Sequence, residues 1–106
     1  MPRVTKRTYQ RPGRLVPRNA RGLRARAVVL GRREVMAWHS TRRREELLIA
    51  LRGTMRVEIE PQMKGCHRSL TIKAGECVFL PRATLHRVVN RSAAAARYLY
   101  VTAPAT

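Results

Sequence analysis

The stretch Gly75–Asn90 reads GECVFLPRATLHRVVN. Two short apolar runs, Cys77–Leu80 and His86–Val89, flank Pro81–Thr84, and Gly75 stands before the first. Proline cannot donate to a ladder, and glycine supplies tight backbone bends, so the segment reads as strand, turn, strand. The same texture continues outward on both sides. Strands are expected near Ala27–Leu30, Val35–His39, Glu46–Leu51, Met55–Glu60, Ser69–Ile72 and Tyr98–Thr102. Gly31, Ser40–Arg44, Gly53, Pro61–Gly65, Ala74–Gly75 and Asn90–Ala95 stand between them as turn segments. Evenly spaced short runs with such punctuation mark an antiparallel sandwich or barrel. Only Ala93–Ala96 favours helix, and it is too short to nucleate alone. The expected fold is all-β.

Alternation with period two sorts the faces. Val57–Ile59 and Leu70–Ile72 interleave with Arg56, Glu58, Thr71 and Lys73, which predicts strands with one wet side. Glu46–Leu51 is apolar almost throughout after its first residue and is expected to be buried on both faces. A carboxylate at the mouth of such a strand is costly unless it is paired or bound to metal. Cys77, beside Phe79, is expected as a small core residue. Met36 and Trp38 are expected to point away from Ala37 and His39, into packing or a dimer interface.

At 106 residues and 12.1 kDa the chain fits one domain. A domain of this size buries only about 60–65% of its unfolded surface, so its core margin is thin and a homodimer is expected. No apolar run approaches the roughly 20 residues of a membrane span, and no signal peptide is read near Met1. Two cysteines, Cys66 and Cys77, cannot build a disulfide framework, which predicts a reduced, cytoplasmic protein. Cys66 and His67 read as surface residues of a hairpin turn.

The charge is lopsided: 23 Lys+Arg, twenty of them arginine, against six glutamates and no aspartate, for a net +17 and a pI near 11.8. Such a field attracts polyanions, whether nucleic acid or phosphorylated small molecules. Five aromatics that do not interleave with the bases offer no stacking platform, so any nucleic-acid binding is expected to be non-specific. Eleven of the bases lie between Arg3 and Arg33, in a stretch punctuated by prolines and glycines. Its apolar residues are isolated. The division expected is a basic arm over residues 1–26, a β-domain over 27–103 and a tail over 104–106. The arm reads either as a mobile tail or as a strand crossing to a partner subunit.

Three polar residues carry the chemistry. His39 closes an apolar strand, Glu46 opens the next, and His86 follows the Pro81–Thr84 turn. Strand ends converge at the mouth of a barrel, and two imidazoles with one carboxylate form a metal site with positions left for water or substrate. Glu45 is an alternative to Glu46. Arg42, Arg43 and Arg44 lie between two of these candidate ligands, so a guanidinium there can reach an anionic group on a bound substrate.

At these residues the sequence resembles the cupin superfamily. Gly75, Pro81, Ala83, His86 and Asn90 match the spacing of its second motif, with Ala83 where the family usually has glycine. The first motif is degraded. Gly31 leads after five residues to Ala37, where the first metal histidine usually stands, and His39 matches the second. Glu46 lies six residues before Gly53 in agreement with the pattern, but the His39–Glu46 interval is longer than usual. The resemblance implies a small β-barrel holding a divalent metal (Fe, Mn, Ni, Cu or Zn) through His39, Glu46 and His86. Two readings of Ala37 stay open: a metal with one more open position, or a metal-free cavity that binds by shape. Candidate substrate contacts are Arg42, Arg44 and Tyr100; Tyr98 shares a strand face with Tyr100. Three functions follow: a metal-binding cupin for a small anionic molecule, if an enzyme then an oxygenase or isomerase; a metal-free ligand sensor or storage protein; or a basic protein that binds nucleic acid through its arm.

Overall fold

A computed structural model describes residues 3–60 and 68–105. It contains β1 (Gly13–Arg14), β2 (Arg24–Leu30), β3 (Val35–Ser40), β4 (Arg44–Arg52), β5 (Thr54–Ile59), β6 (Arg68–Lys73), β7 (Cys77–Leu80), β8 (Leu85–Val89) and β9 (Ala96–Pro104). Every strand expected from the sequence is present. The pairings are antiparallel and make two sheets, β1-β2-β9-β4-β7 and β3-β8-β5-β6. The Ala93–Ala96 segment forms a turn and strand start, with no helix among the described residues.

The register explains how an apolar core and a polar mouth share one interior. Across the larger sheet, Arg24, Thr102, Glu46 and Leu80 stand in one cross-strand row, and Arg26, Tyr100, Leu48 and Val78 in the next. Val28, Tyr98 and Ala50 follow. The polarity therefore falls from one end of the sheet to the other. Leu48, Ala50, Met55, Val57, Ile72, Val88 and Tyr98 form the buried core, and Leu80 extends it into the Glu46 row. Full burial of a side chain such as Leu48 or Met55 contributes about 1.5–3 kcal/mol.

Three expectations about faces are corrected. β4 is not buried on both sides: Glu46, Leu48 and Ala50 are buried, while Leu47 lies outward and partly exposed, as the outer layer of a two-sheet sandwich must. Cys77 is an exposed thiol on the edge strand β7, and its neighbour on that face, Phe79, is 57% exposed; Val78 and Leu80 take the inward positions. Met36 does not point away from His39. An irregularity in the β3–β8 register between Met36 and His39 shifts the parity, and Met36 packs against the core and lines the same cavity as His39. Trp38 is half-buried, with the Arg87 guanidinium 4.9 Å from its ring centroid. Cys66, His67 and the Pro61–Gly65 turn lie outside the described residues.

Two motif positions have structural causes. Gly53 has φ +78°, and a Cβ there would meet the Ala95 carbonyl oxygen at 3.0 Å, so glycine is required twice over. Asn90 is fully buried; its amide donates to the carbonyls of Leu30 (3.1 Å), Gly31 (3.0 Å) and Ala94 (2.8 Å), and its oxygen accepts from the Ser92 amide and hydroxyl. It knots the end of β2 to the turn before β9.

Candidate metal centre

His39 and His86 form a cross-strand pair on β3 and β8, and Glu46 reaches toward them from β4 in the opposite sheet. Their nearest ligand atoms all lie within 4.8 Å of one another. The two imidazole centroids are 4.3 Å apart. Each ring is oriented by a backbone carbonyl two residues upstream: His39 Nδ1–H donates to Ala37 (2.9 Å) and His86 Nδ1–H to Thr84 (3.0 Å). Both Nε2 lone pairs are thereby left free, which is how metal-ligating histidines are held.

The His86 Nε2 atom is the most constrained polar atom of the group. His86 is fully buried, and Nε2 makes no hydrogen bond although Glu46 Oε2 is 3.2 Å away. A buried polar atom left in this state costs free energy unless something else satisfies it. A cation between Glu46 and the two imidazoles does so, and the donor set suits the borderline divalent transition metals. The residues present fit such an ion. Burial by itself pushes the His86 pKa down, but Glu46 and the Thr84 carbonyl outweigh it, and the net direction is upward. For Tyr98, burial first and then the nearby Glu46 charge push the phenol well up, so it stays protonated.

The loops that carry the ligands are stapled together. Thr41 Oγ1 donates to the Pro81 carbonyl (2.8 Å) and accepts from the Thr84 amide (3.0 Å), while the Ala83 amide donates to the Arg42 carbonyl (2.8 Å). The long interval between His39 and Glu46 is absorbed by strand, not by loop. β4 starts at Arg44, whose amide closes a turn onto the Thr41 carbonyl (3.0 Å), so the loop is only 41–43.

Above the ligands opens a cavity of about 480 Å³. Arg44, Tyr98, Tyr100 and Thr102 line it, together with His39, Glu46 and His86. Arg42 does not; it is exposed in the turn, with φ 56° and its amide on the Ser40 hydroxyl. Glu45 is exposed and stands on the opposite side of β4 from Glu46. Ala37 is exposed and contributes no lining side chain. The segment read as an arm also lines the cavity, through Arg14, Arg18, Arg24 and Arg26. The signal for part of this was present in the sequence: Arg24 and Arg26 continue the period-two face of Val28 and Leu30.

A cupin domain family model matches residues 27–102, and the chain belongs to that family. Among solved structures, an RmlC-like cupin with a double-stranded β-helix fold from Methanocaldococcus jannaschii is similar at 25% identity and TM-score 0.73, covering 88% of this chain and 78% of that one. A cupin 2 conserved barrel domain protein from Salinispora arenicola gives 24% identity and TM-score 0.71, over 90% and 76%. Oxalate oxidase in complex with the substrate analogue glycolate gives 20% and 0.71, over 78% of this chain and 42% of its own. This chain spans 51% and 64% of two other matching chains, a cysteine peptidase from Thevetia peruviana latex and the Cnp3 cupin domain of Schizosaccharomyces pombe. No curated protein matches the sequence.

Proposed function

We propose that the protein is a metal-dependent cupin that binds, and in an enzymatic setting transforms, a small anionic molecule in the cavity above His39, Glu46 and His86. The observation that carries this reading is the convergence of His39, Glu46 and His86 on one point of the cavity, with the fully buried His86 Nε2 facing Glu46 at 3.2 Å without a hydrogen bond. When bound, a divalent metal would supply Lewis acidity and open positions for an oxygen donor of the substrate. The chain's own residues have separate tasks. Tyr98 keeps its phenolic proton beside Glu46 and offers a hydrogen bond to an anionic oxygen. Arg44 and Tyr100 orient the charged group, and Met36 and Leu48 exclude water from the cavity floor. If the protein is an enzyme, oxygenase or isomerase chemistry suits this arrangement. A neighbour holding glycolate, a hydroxy acid anion, supports the choice of ligand class.

Elemental analysis of the protein beside His86→Ala, purified identically, tests the reading. About one equivalent of transition metal, lost in the variant, supports it. No metal in either, even after reconstitution with Fe(II), Mn(II), Ni(II), Cu(II) or Zn(II), favours the metal-free sensor or storage protein.

A homodimer and a reducing, cytoplasmic setting belong to the same proposal. No helix among the described residues is long and apolar enough to cross a membrane. The apolar outer surface is on the larger sheet, where Leu47 pairs with Phe79 and Val101 and Ile49 with Cys77 and Leu99, instead of around Met36 and Trp38. A second copy seated there is the form the dimer takes in this reading.

A further inference from the structure

Part of the arm, residues 13–26, is held against the barrel. Gly13 and Arg14 pair with Ala27 and Arg26, the Leu15 amide donates to the Ala25 carbonyl (2.9 Å), and a turn closes from the Ala20 amide to the Pro17 carbonyl (3.1 Å). From β4, Arg44 donates to the Thr102 hydroxyl (2.9 Å), the Thr102 carbonyl (3.0 Å) and the Gly22 carbonyl. Residues 13–26 therefore form a strap along one wall of the cavity.

That wall is strongly cationic. Arg14, Arg18, Arg24 and Arg26 line it, and Arg44 faces it, against a single lining carboxylate, Glu46. Among the described residues the ion pairs are His86–Glu46, Arg87–Glu58 and Arg91–Glu58, so none of these five arginines has an acidic partner. The four strap arginines are exposed at the rim and screened by water, so their mutual repulsion is modest, but a strap fixed by backbone hydrogen bonds keeps them gathered there. A bound anion offsets that repulsion, and the guanidinium fork matches phosphate and carboxylate oxygens in two parallel bonds.

We propose that the strap and Arg44 form a subsite for a multiply charged oxyanion, a phosphate ester or a di- or tricarboxylate. The ligand's other end reaches His39, Glu46 and His86. This rests on the reading of the cavity as a ligand site, but not on metal being present. Arg14, Arg18, Arg24 and Arg26 are thus placed for a small molecule, while Arg3, Lys6, Arg7, Arg11 and Arg21 lie off the cavity.

The test is calorimetric titration of the metal-free full-length chain at low salt with inorganic phosphate, pyrophosphate and citrate. Saturable one-to-one binding is expected. It weakens at least tenfold in the triple variant Arg18→Gln, Arg24→Gln, Arg26→Gln. A control variant, Arg3→Gln, Lys6→Gln, Arg11→Gln, removes the same charge from exposed residues that do not line the cavity, and stays within about threefold of the parent. Arg24→Lys alone keeps the charge, loses the fork and should fall between. Preference for pyrophosphate over citrate selects the phosphate ester, and the reverse the polycarboxylate. Because the titrated chain is metal-free, saturable binding here separates this subsite from the metal reading. Equal losses in the two triple variants, absence of saturation, or tighter binding of a short oligonucleotide with the same loss in both variants would overturn the subsite. Melting curves of the variants confirm that each is folded.

Discussion

His39 and His86 face each other across the β3–β8 ladder with ring centroids 4.3 Å apart, and each is held by the carbonyl two residues before it. The symmetry of that arrangement matters more than either residue alone. A hydrogen bond at Nδ1 fixes both ring orientation and tautomer, leaving Nε2 as the donor atom each ring offers to the space that Glu46 enters from the other sheet. The motif's defect at Ala37 removes a donor without disturbing this pair, because the Ala37 backbone still supplies the carbonyl that His39 needs.

Ala83 has φ 57°, in the left-handed region where a Cβ is disfavoured. Glycine at this position escapes a strain of about 1–2 kcal/mol, partly offset by the greater freedom it gives the unfolded chain. Ala83→Gly is expected to stabilise the protein by about 0.5–1 kcal/mol, read as a higher urea midpoint at unchanged slope. A lower midpoint would mean that the Thr41–Thr84 staple already relieves the strain.

The His86 pKa stands above its ordinary value in the metal-free protein, with Glu46 the main upward influence against burial. A group whose folded pKa is raised stabilises fully below its unfolded pKa, about 6.5, and the contribution is lost as pH rises through the folded value. Metal-free protein should therefore lose melting temperature as pH rises above the ordinary imidazole range, relative to Glu46→Gln. In that variant the Glu46 influence is gone, burial outweighs the remaining Thr84 carbonyl, and the sign of this contribution reverses. Saturating Zn(II) should change the parent's trend, because a ligating imidazole must be neutral and the stabilisation by metal grows with pH. Identical pH profiles of parent and variant without metal would contradict this.

Arg44 ties the strap to the barrel through Thr102 and Gly22. Loss of hydration and the neighbouring Arg24 charge lower its pKa, so the bonds it makes hold a charge in an unfavourable place. Arg44→Ala should free residues 17–23. Limited trypsin digestion followed by mass spectrometry is expected to cut after Arg21 and Arg24 several-fold faster, with the rest of the barrel protected. Unchanged cleavage there would show that the β1–β2 pairing alone holds the strap.

The eight strands of the domain were legible because each is a short apolar run closed by glycine, proline or polar turn residues. The clustering of His39, Glu46 and His86 was legible because they sit near strand ends with recognisable spacing. What escaped was parity and reach. A bulge between Met36 and His39 shifts a face by one position and leaves no trace in composition, so Met36 was expected on the wrong side. Leu47 and Cys77 are outward on a sheet whose outer surface is itself apolar, and hydrophobicity alone cannot distinguish that face from the core. The strap escaped because a two-residue strand held by main-chain bonds and rich in arginine resembles a solvated tail.

The most direct measurement is electron paramagnetic resonance of the protein loaded with one equivalent of Cu(II), in the parent and in His39→Ala and His86→Ala. The account predicts hyperfine structure from two equatorial imidazole nitrogens in the parent and from one in each variant. A parent spectrum with no histidine nitrogen coupling, or one unchanged in both variants, would contradict the His39, Glu46 and His86 centre.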